Sequence, residues 1–372
     1  MTAGFYSPLP PARTGVADYA AVLLDGLRHL GNVEIAPAQC DIALYHLGNN
    51  PLHAEIYARA LAVPGVVVLH DAVLHHFLLG QLSEGAYIEE FVHNYGEWTR
   101  GLAADLWQER ASSGSDPRYF EYPLLRRTAE HARAVVVHNQ AAAAAVRRHA
   151  PDVPVVEIPH LFAAPPVPDV TTVMRWRQKH GIPAGAFVFG VFGYLRESKR
   201  IFSVLDAFTR LRATHPKAWL LVAGQFVSSD LERATANLLA APGIARVPYL
   251  PEAEFWTAAA AVDACINLRY PAAGETSGIT VRLMGTGKPV LVTDALENAG
   301  YPEGTCIRIP SGLAERESLW QHLVLLTSRS EVAHEVGRRG ADHVRRYHGL
   351  DSVAALYWKT LCEHCPSFSS RT

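Results

Sequence analysis

Residues 263–294 read DACINLRYPAAGETSGITVRLMGTGKPVLVTD, and the order of residue types in this stretch decides the fold class. Asp263–Leu268 is a short apolar run, Arg269–Gly274 is a loop marked by Pro271 and Gly274, and Thr276–Thr286 carries helical spacing. Lys288–Thr293 then returns as a second apolar strand. Glu275 stands at the mouth of the expected helix, beside Thr276, Ser277 and Gly278. The first amides of a helix have no partner within it and point outward, so this mouth suits an anion such as a diphosphate. A carboxylate next to that anion suits the hydroxyls of an attached sugar, and the stretch offers a nucleotide-sugar site. The same residues also read as an ordinary N-cap with an acidic first turn. Context has to decide between the two.

The bulk numbers set the frame. A chain of 372 residues predicts two domains. A hydrophobic content of 49% against 19% charged residues describes a globular protein with a large core. No window holds 18 uninterrupted apolar residues, which argues against a membrane-spanning helix. The opening MTAGFYSPLPPARTG lacks a basic region followed by an apolar run, so no secretory signal is read and a cytoplasmic location is the expectation. Charge is divided unevenly: residues 1–165 hold 11 Arg and no Lys against 17 acidic residues, a net of −6, which leaves +4 for the remainder of a −2 chain. Neither half carries the basic stripe that nucleic acid requires. Five scattered cysteines include one Cys362-Glu-His-Cys365 pair without the two further ligands a structural zinc would need.

Along the chain, short apolar runs alternate with helical stretches. Gly4–Ser7, Val33–Ala36, Asp41–His46, Val66–Leu69, Ala134–His138 and Val155–Ile158 read as strands, with helices at Ala17–Leu30, His53–Ala62 and Asn139–His149. Glu84–His131 reads as an insertion of extra helices. Continuous apolar strands separated by helices imply a parallel sheet covered on both faces. Pro159–Asp169 (PHLFAAPPVPD) is the linker candidate, after which the alternation restarts. The expectation is an α/β chain of two tandem Rossmann-like doubly wound domains, 1–165 and 166–349, with an interdomain cleft and a final helix, 350–372, packing back on the first domain.

Three segments then converge on one family. SPLPPARTGVADYAAVLLDGL near the start, GVFGYLRESKR at the head of the second domain and GETSG with GTGKPVLVTD near its end occur in an order that resembles the family 4 retaining glycosyltransferases of GT-B fold. That resemblance implies transfer of a hexose or N-acetylhexosamine from a nucleoside-diphosphate sugar to a hydroxyl of a glycan, lipid-linked or small-molecule acceptor. It implies retention of configuration by front-face displacement, with no metal and no other cofactor. Lys199 in the RESKR turn matches the lysine that holds the donor diphosphate, and Arg196 is the nearby second cation, Tyr194 standing where the common pattern has arginine. Gly193 precedes that turn, and Gly15 matches a glycine loop approaching the diphosphate. Glu275 matches the first of two motif glutamates, which touches the sugar hydroxyls, with Thr276, Ser277 and Gly278 beside it. The second glutamate is missing: Leu283 stands eight residues on, or Arg282 when the following Gly-Lys-Pro is aligned. Tyr249 and Leu250 lie in the region where the family holds the base.

In the first domain, His70 ends an apolar strand at the edge where ligands gather, and in the family a histidine near it lines the pocket. Acceptor-side candidates are Asp18 and Tyr19 at the first helix start, Asn49 and Asn50 after Gly48, Asp71, and His138, with His160 a weaker version. Each has a plain alternative: Asp18 as a cap, the asparagines as turn formers, the histidines as hydrogen-bonded core. His70-Asp71 with His75 and His76 can be spelled as a metal set, but the expectation is a site without metal. Two rivals share the fold: a nucleotide-sugar epimerase or a sugar phosphorylase, and a non-catalytic binding protein that kept the fold, which the missing second glutamate supports and the presence of Glu275, Lys199 and Gly15 together opposes.

Overall fold

The computed structural model describes residues 1–366, so the end of the expected 350–372 helix lies outside the described residues. Two compact units divide the chain. One gathers Met1–Ala163, Pro271–Thr276 and the chain from Tyr347 onward; the other comprises Ala164–Tyr270 and Ser277–Arg346.

In the first unit β1 (Thr2–Tyr6), β2 (Asn32–Ile35), β3 (Ile42–Leu47), β4 (Val66–Leu69), β5 (Ala134–Val137) and β6 (Val155–Glu157) form one sheet. Their order is β2-β1-β3-β4-β5-β6 and every pairing is parallel. The runs IALYHL, VVVL and AVVV of β3, β4 and β5 are buried throughout, because helices cover both faces and leave no side for polar residues. β1 stops at Tyr6, before Ser7, since the following Pro8 has no N–H to give the ladder. The order reverses between β1 and β3, and at such a switch the two following loops run to opposite faces and open a crevice at the strand carboxyl ends.

The second unit repeats the plan with β7 (Val188–Phe192), β8 (Trp219–Ala223), β9 (Ile244–Val247), β10 (Ala264–Asn267), β11 (Val290–Thr293) and β12 (Ile307–Ile309). Here the order is β12-β11-β10-β7-β8-β9, again wholly parallel, with the switch between β7 and β10. The loops leaving β7 and β10 are those that carry Lys199 and Glu275.

Glu84–His131 supplies the helices Glu84–Tyr95, Arg100–Gln108, Arg118–Glu121 and Arg126–Glu130, sealed by the buried rings of Tyr87, Phe91 and Tyr119. The helix Leu350–His364 packs on Gly15–Arg28, its Val353, Ala354, Tyr357 and Leu361 sharing a core with Leu23 and Leu27. The Pro159–Asp169 stretch forms no helix or strand of its own; Phe162 donates its amide to the His348 carbonyl at 2.7 Å. No helix among the described residues is long and apolar enough to cross a membrane.

Candidate functional site

The second unit gathers candidate residues at its own switch point. After β7 the chain turns at Gly193, whose φ of +86° lies where side-chain-bearing residues are strained. The turn is tight because Gly224 lies directly against it: a Cβ on Gly224 would come within 1.9 Å of the Gly193 carbonyl oxygen. A single helical turn, Glu197–Lys199, follows and carries Lys199 back to the strand end. The Lys199 ammonium is 5% exposed and donates to the Phe192 carbonyl, the last of β7, and to Asn267 Oδ1 at 3.3 Å. The next residue, Arg200, is structural: in the left-handed region at φ +56°, it pairs with the buried Glu315 at 2.9 Å, and Ser203 donates to the same carboxylate at 2.6 Å.

Asn267 ends β10, and its amide nitrogen donates to Ser277 Oγ and Thr280 Oγ1, both at 2.7 Å. Ser277 caps the helix Gly278–Gly285, its hydroxyl accepting from the Thr280 amide. The helix therefore starts two residues later than the spacing of Thr276–Thr286 predicts, because Ser277 is the cap and Thr276 is engaged elsewhere. Arg269 Nη2 reaches Ser277 Oγ at 3.5 Å, and its backbone amide is held by Thr293 Oγ1 at 2.9 Å. A lysine, an arginine and the unpaired amides of a helix start thus meet around Ser277, an arrangement that favours an anion of high charge density.

Arg196 is exposed at the start of the Glu197–Lys199 turn and takes no part in the Lys199–Asn267–Ser277 chain. Tyr249 and Leu250 follow the edge strand β9, with Tyr249 45% exposed. Leu283 is fully buried core, and Arg282 pairs with Glu252 and lies over the rings of Phe255 and Trp256, 4.1 and 4.3 Å from their centroids. Neither position offers a carboxylate where the family pattern has its second glutamate.

Glu275 lies in the Pro271–Thr276 segment, which packs with the first unit. Its Oε2 accepts from the Ala273 amide at 2.7 Å, and its neighbours Gly274 and Thr276 are both bonded to Asn139.

At the first unit's switch point Gly15 opens the helix Gly15–Arg28, and a Cβ built on it would meet nothing within 4 Å. The cap of this helix is Thr14, whose hydroxyl accepts from the Ala17 amide at 3.1 Å, so Asp18 does not serve as the cap and stands exposed in the first turn. Asn50 accepts from the Leu52 amide, as a turn former does. Asn49 Oδ1 accepts from the Phe77 amide at 2.6 Å, and the Asn49 backbone amide donates to Asp71 Oδ2 at 2.7 Å. His75 Nδ1 donates to the Tyr122 carbonyl and its Nε2 accepts from the Tyr87 hydroxyl, while His76 Nε2 donates to the Ser113 carbonyl. The HDxxxHH run is thus spent on separate partners. No group of three or more His, Cys, Asp or Glu able to hold a metal occurs among the described residues.

The carboxyl ends of β3, β4, β5 and β6 deliver His46, His70, His138 and His160 around the ring of Tyr19, at centroid distances of 6.2, 4.9, 5.4 and 4.7 Å. His46 Nδ1 and His70 Nε2 share a hydrogen bond of 2.9 Å. Burial, reinforced by the neighbouring imidazoles, holds His46 and His70 well below the ordinary range, and burial brings His138 to about 4. All three are neutral near pH 7. His138 Nδ1 donates to the Ile158 carbonyl at 2.9 Å, leaving Nε2 as a buried lone pair with no hydrogen-bond partner among the described residues. The Tyr19 hydroxyl is turned onto Tyr357 at 2.9 Å, so Tyr19 contributes a ring to this cluster and its hydroxyl to the core.

Of the residues singled out from sequence, Lys199, Gly193, Ser277 and Gly278 come together in the second unit. Glu275, Thr276, His70 and His138 belong to the first. Asn267, Arg269, His46 and Asn139 belong to none of the motifs read from the sequence. The signal for the first two was their place at the end of an apolar strand beside a topological switch.

No protein-family model matches the sequence, and no curated protein matches it. Solved structures do match. A sucrose-phosphate synthase from Thermosynechococcus elongatus superposes with a TM-score of 0.70 at 14% identity over 99% of both chains. Anabaena HepE, crystallised with UDP-glucose, gives 0.65 at 14% identity over 98% of this chain and 100% of its own. WaaG, a glycosyltransferase involved in lipopolysaccharide biosynthesis, gives 0.63 at 15% over 97% and 99%. At these identities the likeness is one of fold: the chain has the two-domain α/β GT-B architecture, as its sequence predicts.

Proposed function

We propose that the protein is a cytoplasmic, retaining glycosyltransferase that moves a hexose or N-acetylhexosamine from a nucleoside diphosphate to an acceptor hydroxyl. The observation that carries this reading is the Lys199–Asn267–Ser277 chain at the mouth of the helix Gly278–Gly285, beside the switch between β7 and β10. A diphosphate is the ligand such a mouth suits, and the buried, pre-positioned Lys199 ammonium is matched to charge that grows on a leaving group. Glu275 is two residues before Ser277, so chain connectivity alone keeps their Cα atoms within about 7 Å. That is the reach of a sugar attached to the diphosphate. HepE, of the same fold, carries UDP-glucose in its crystal and supports the choice of donor class.

In the reaction, the acceptor oxygen bonds to the anomeric carbon on the face from which the diphosphate departs. The carbon–oxygen bond to the β-phosphate breaks, the sugar passes through an oxocarbenium-like state, and the departing phosphate oxygen takes the hydroxyl proton. Lys199, Arg269 and the helix amides stabilise the departing charge, with Gly193 and Gly15 leaving room for close backbone approach. Arg196, Tyr249 and Leu250 contribute to the donor side. Glu275 and Thr276 meet the donor sugar, and His70 lines its pocket. Asp18, Asn49, Asn50, Asp71 and His138 form the acceptor side. No step requires a metal.

The test is a melting-temperature panel with UDP, GDP, ADP, TDP and their sugars. One nucleoside diphosphate should raise the melting temperature, and its sugar conjugate should raise it further. If none does, the donor assignment fails and a non-catalytic role for the fold takes its place.

A further inference from the structure

One side chain fastens the peptide carrying Glu275 on both sides. Asn139 caps the helix Gln140–His149, its Oδ1 accepting from the Ala142 amide at 2.9 Å. Its amide nitrogen has two hydrogens; one goes to the Gly274 carbonyl at 2.9 Å, the other to Thr276 Oγ1 at 3.0 Å. Thr276 Oγ1 in turn donates to the His138 carbonyl at 3.2 Å. Gly274 and Thr276 are the residues flanking Glu275. The segment also fits closely where it lies: Gly274 has a φ of +69°, and a Cβ there would stand 2.7 Å from the Ala72 Cβ. Asn139 is itself 9% exposed, so these bonds are made away from competing water.

A cap requires only an acceptor, which Ser, Thr or Asp supplies as well as Asn. Asn alone among these adds a two-hydrogen donor on the same short side chain. The residue type therefore exceeds what the helix asks of it, and the surplus is spent on the two neighbours of Glu275. We propose that Asn139 is a positioning residue of the sugar site, a clamp that fixes where the Glu275 carboxylate stands. This deepens the proposed function and rests on Glu275 meeting the donor sugar. Because His138 and Asn139 are consecutive, the end of β5 sets both the Glu275 loop and the His138 ring.

The test uses the full chain with Asn139→Asp and Asn139→Ser. Both variants keep an acceptor for the Ala142 amide and lose the two donors; Asp also sets an anionic oxygen against the Gly274 carbonyl. Amide hydrogen exchange is followed across residues 270–278 without ligand, and UDP and UDP-glucose are titrated by calorimetry. The expected result has three parts: at least tenfold faster exchange in the loop with the helix Gln140–His149 unchanged, unaltered UDP affinity, and a tenfold or greater loss of the extra affinity that glucose confers. Unchanged loop exchange overturns the clamp, and UDP and UDP-glucose affinities falling together assigns Asn139 a merely structural role. Wild type binding UDP and UDP-glucose equally would overturn UDP-glucose as the donor and this sugar role with it, with the exchange arm still reporting separately whether Asn139 holds the loop.

Discussion

Asn267 faces Lys199 with its side-chain oxygen, at 3.3 Å, and gives its nitrogen to Ser277 and Thr280. The orientation is forced, since an ammonium offers donors only and an amide has one acceptor oxygen. The buried cation is thereby tied to the cap of the helix Gly278–Gly285, so lysine and helix amides are set as one unit.

Asn267→Asp tests that unit. The carboxylate still accepts from Lys199, and the Ser277 and Thr280 hydroxyls can rotate to donate to it, so the melting temperature should hold within a few degrees. The added negative charge sits at the proposed diphosphate site and partly cancels the lysine. Nucleoside-diphosphate affinity should fall at least tenfold, about 1.4 kcal/mol. Calorimetry reads it, and unchanged affinity would place the anion elsewhere.

Gly15→Ala separates a ligand-facing glycine from a structural one. Among the described residues, nothing beyond the adjacent residues and the helix's own backbone lies within 4 Å of the new methyl, and the site is the first position of a helix. Alanine is the better helix former by about 0.5–1 kcal/mol, so the melting temperature should stay level or rise. On the proposed role of Gly15 as a donor-site glycine, donor affinity should drop. A variant equally stable with wild-type donor affinity would make Gly15 a plain turn residue.

Tyr19 and Tyr357 pair their hydroxyls inside the core. Tyr19→Phe alone leaves the Tyr357 hydroxyl buried and unpaired and should cost about 1–3 kcal/mol. Tyr19→Phe with Tyr357→Phe should recover part of the loss, since an apolar pair of the same shape is nearly neutral. Urea unfolding of the two single variants and the double measures the coupling; additive losses would contradict the pairing.

The histidine cluster predicts acid sensitivity. Unfolded imidazoles take up protons near pH 6.5, whereas burial holds folded His46 and His70 well below their ordinary range and His138 at about 4. The unfolded state therefore binds more protons as pH falls, so stability is full above about 6.5 and is lost below it. For His138 alone the loss down to pH 4 is on the order of 3 kcal/mol. His138→Gln should flatten the fall of unfolding free energy between pH 6.5 and 4.5 by roughly one proton. An equal slope would show His138 charged in the folded state.

The parallel sheets were readable because strands buried on both faces lose polar alternation: Val66–Leu69 and Ala134–Val137 announce themselves. Boundaries were less so. Thr276 and Ser277 are both good caps by type, and the choice between them depends on Asn139, far along the chain, which takes Thr276 away. Asn267 and Arg269 carry no local signal, because one sits in an apolar strand and the other in a Pro/Gly loop; only the strand order gives their position meaning. The tyrosine pair and the grouping of Pro271–Thr276 with the first unit rest on contacts between distant residues, which no local pattern carries.

The central claim is that Lys199, Ser277 and Glu275 receive a nucleotide sugar. Its most direct test is calorimetric titration of wild type and Glu275→Ala with the stabilising nucleoside diphosphate and with its sugar conjugate. The account predicts equal diphosphate affinity in both proteins, at least tenfold tighter binding of the conjugate by wild type, and loss of that gain in the variant. Equal binding of diphosphate and conjugate by wild type, or an undiminished gain in Glu275→Ala, would contradict it.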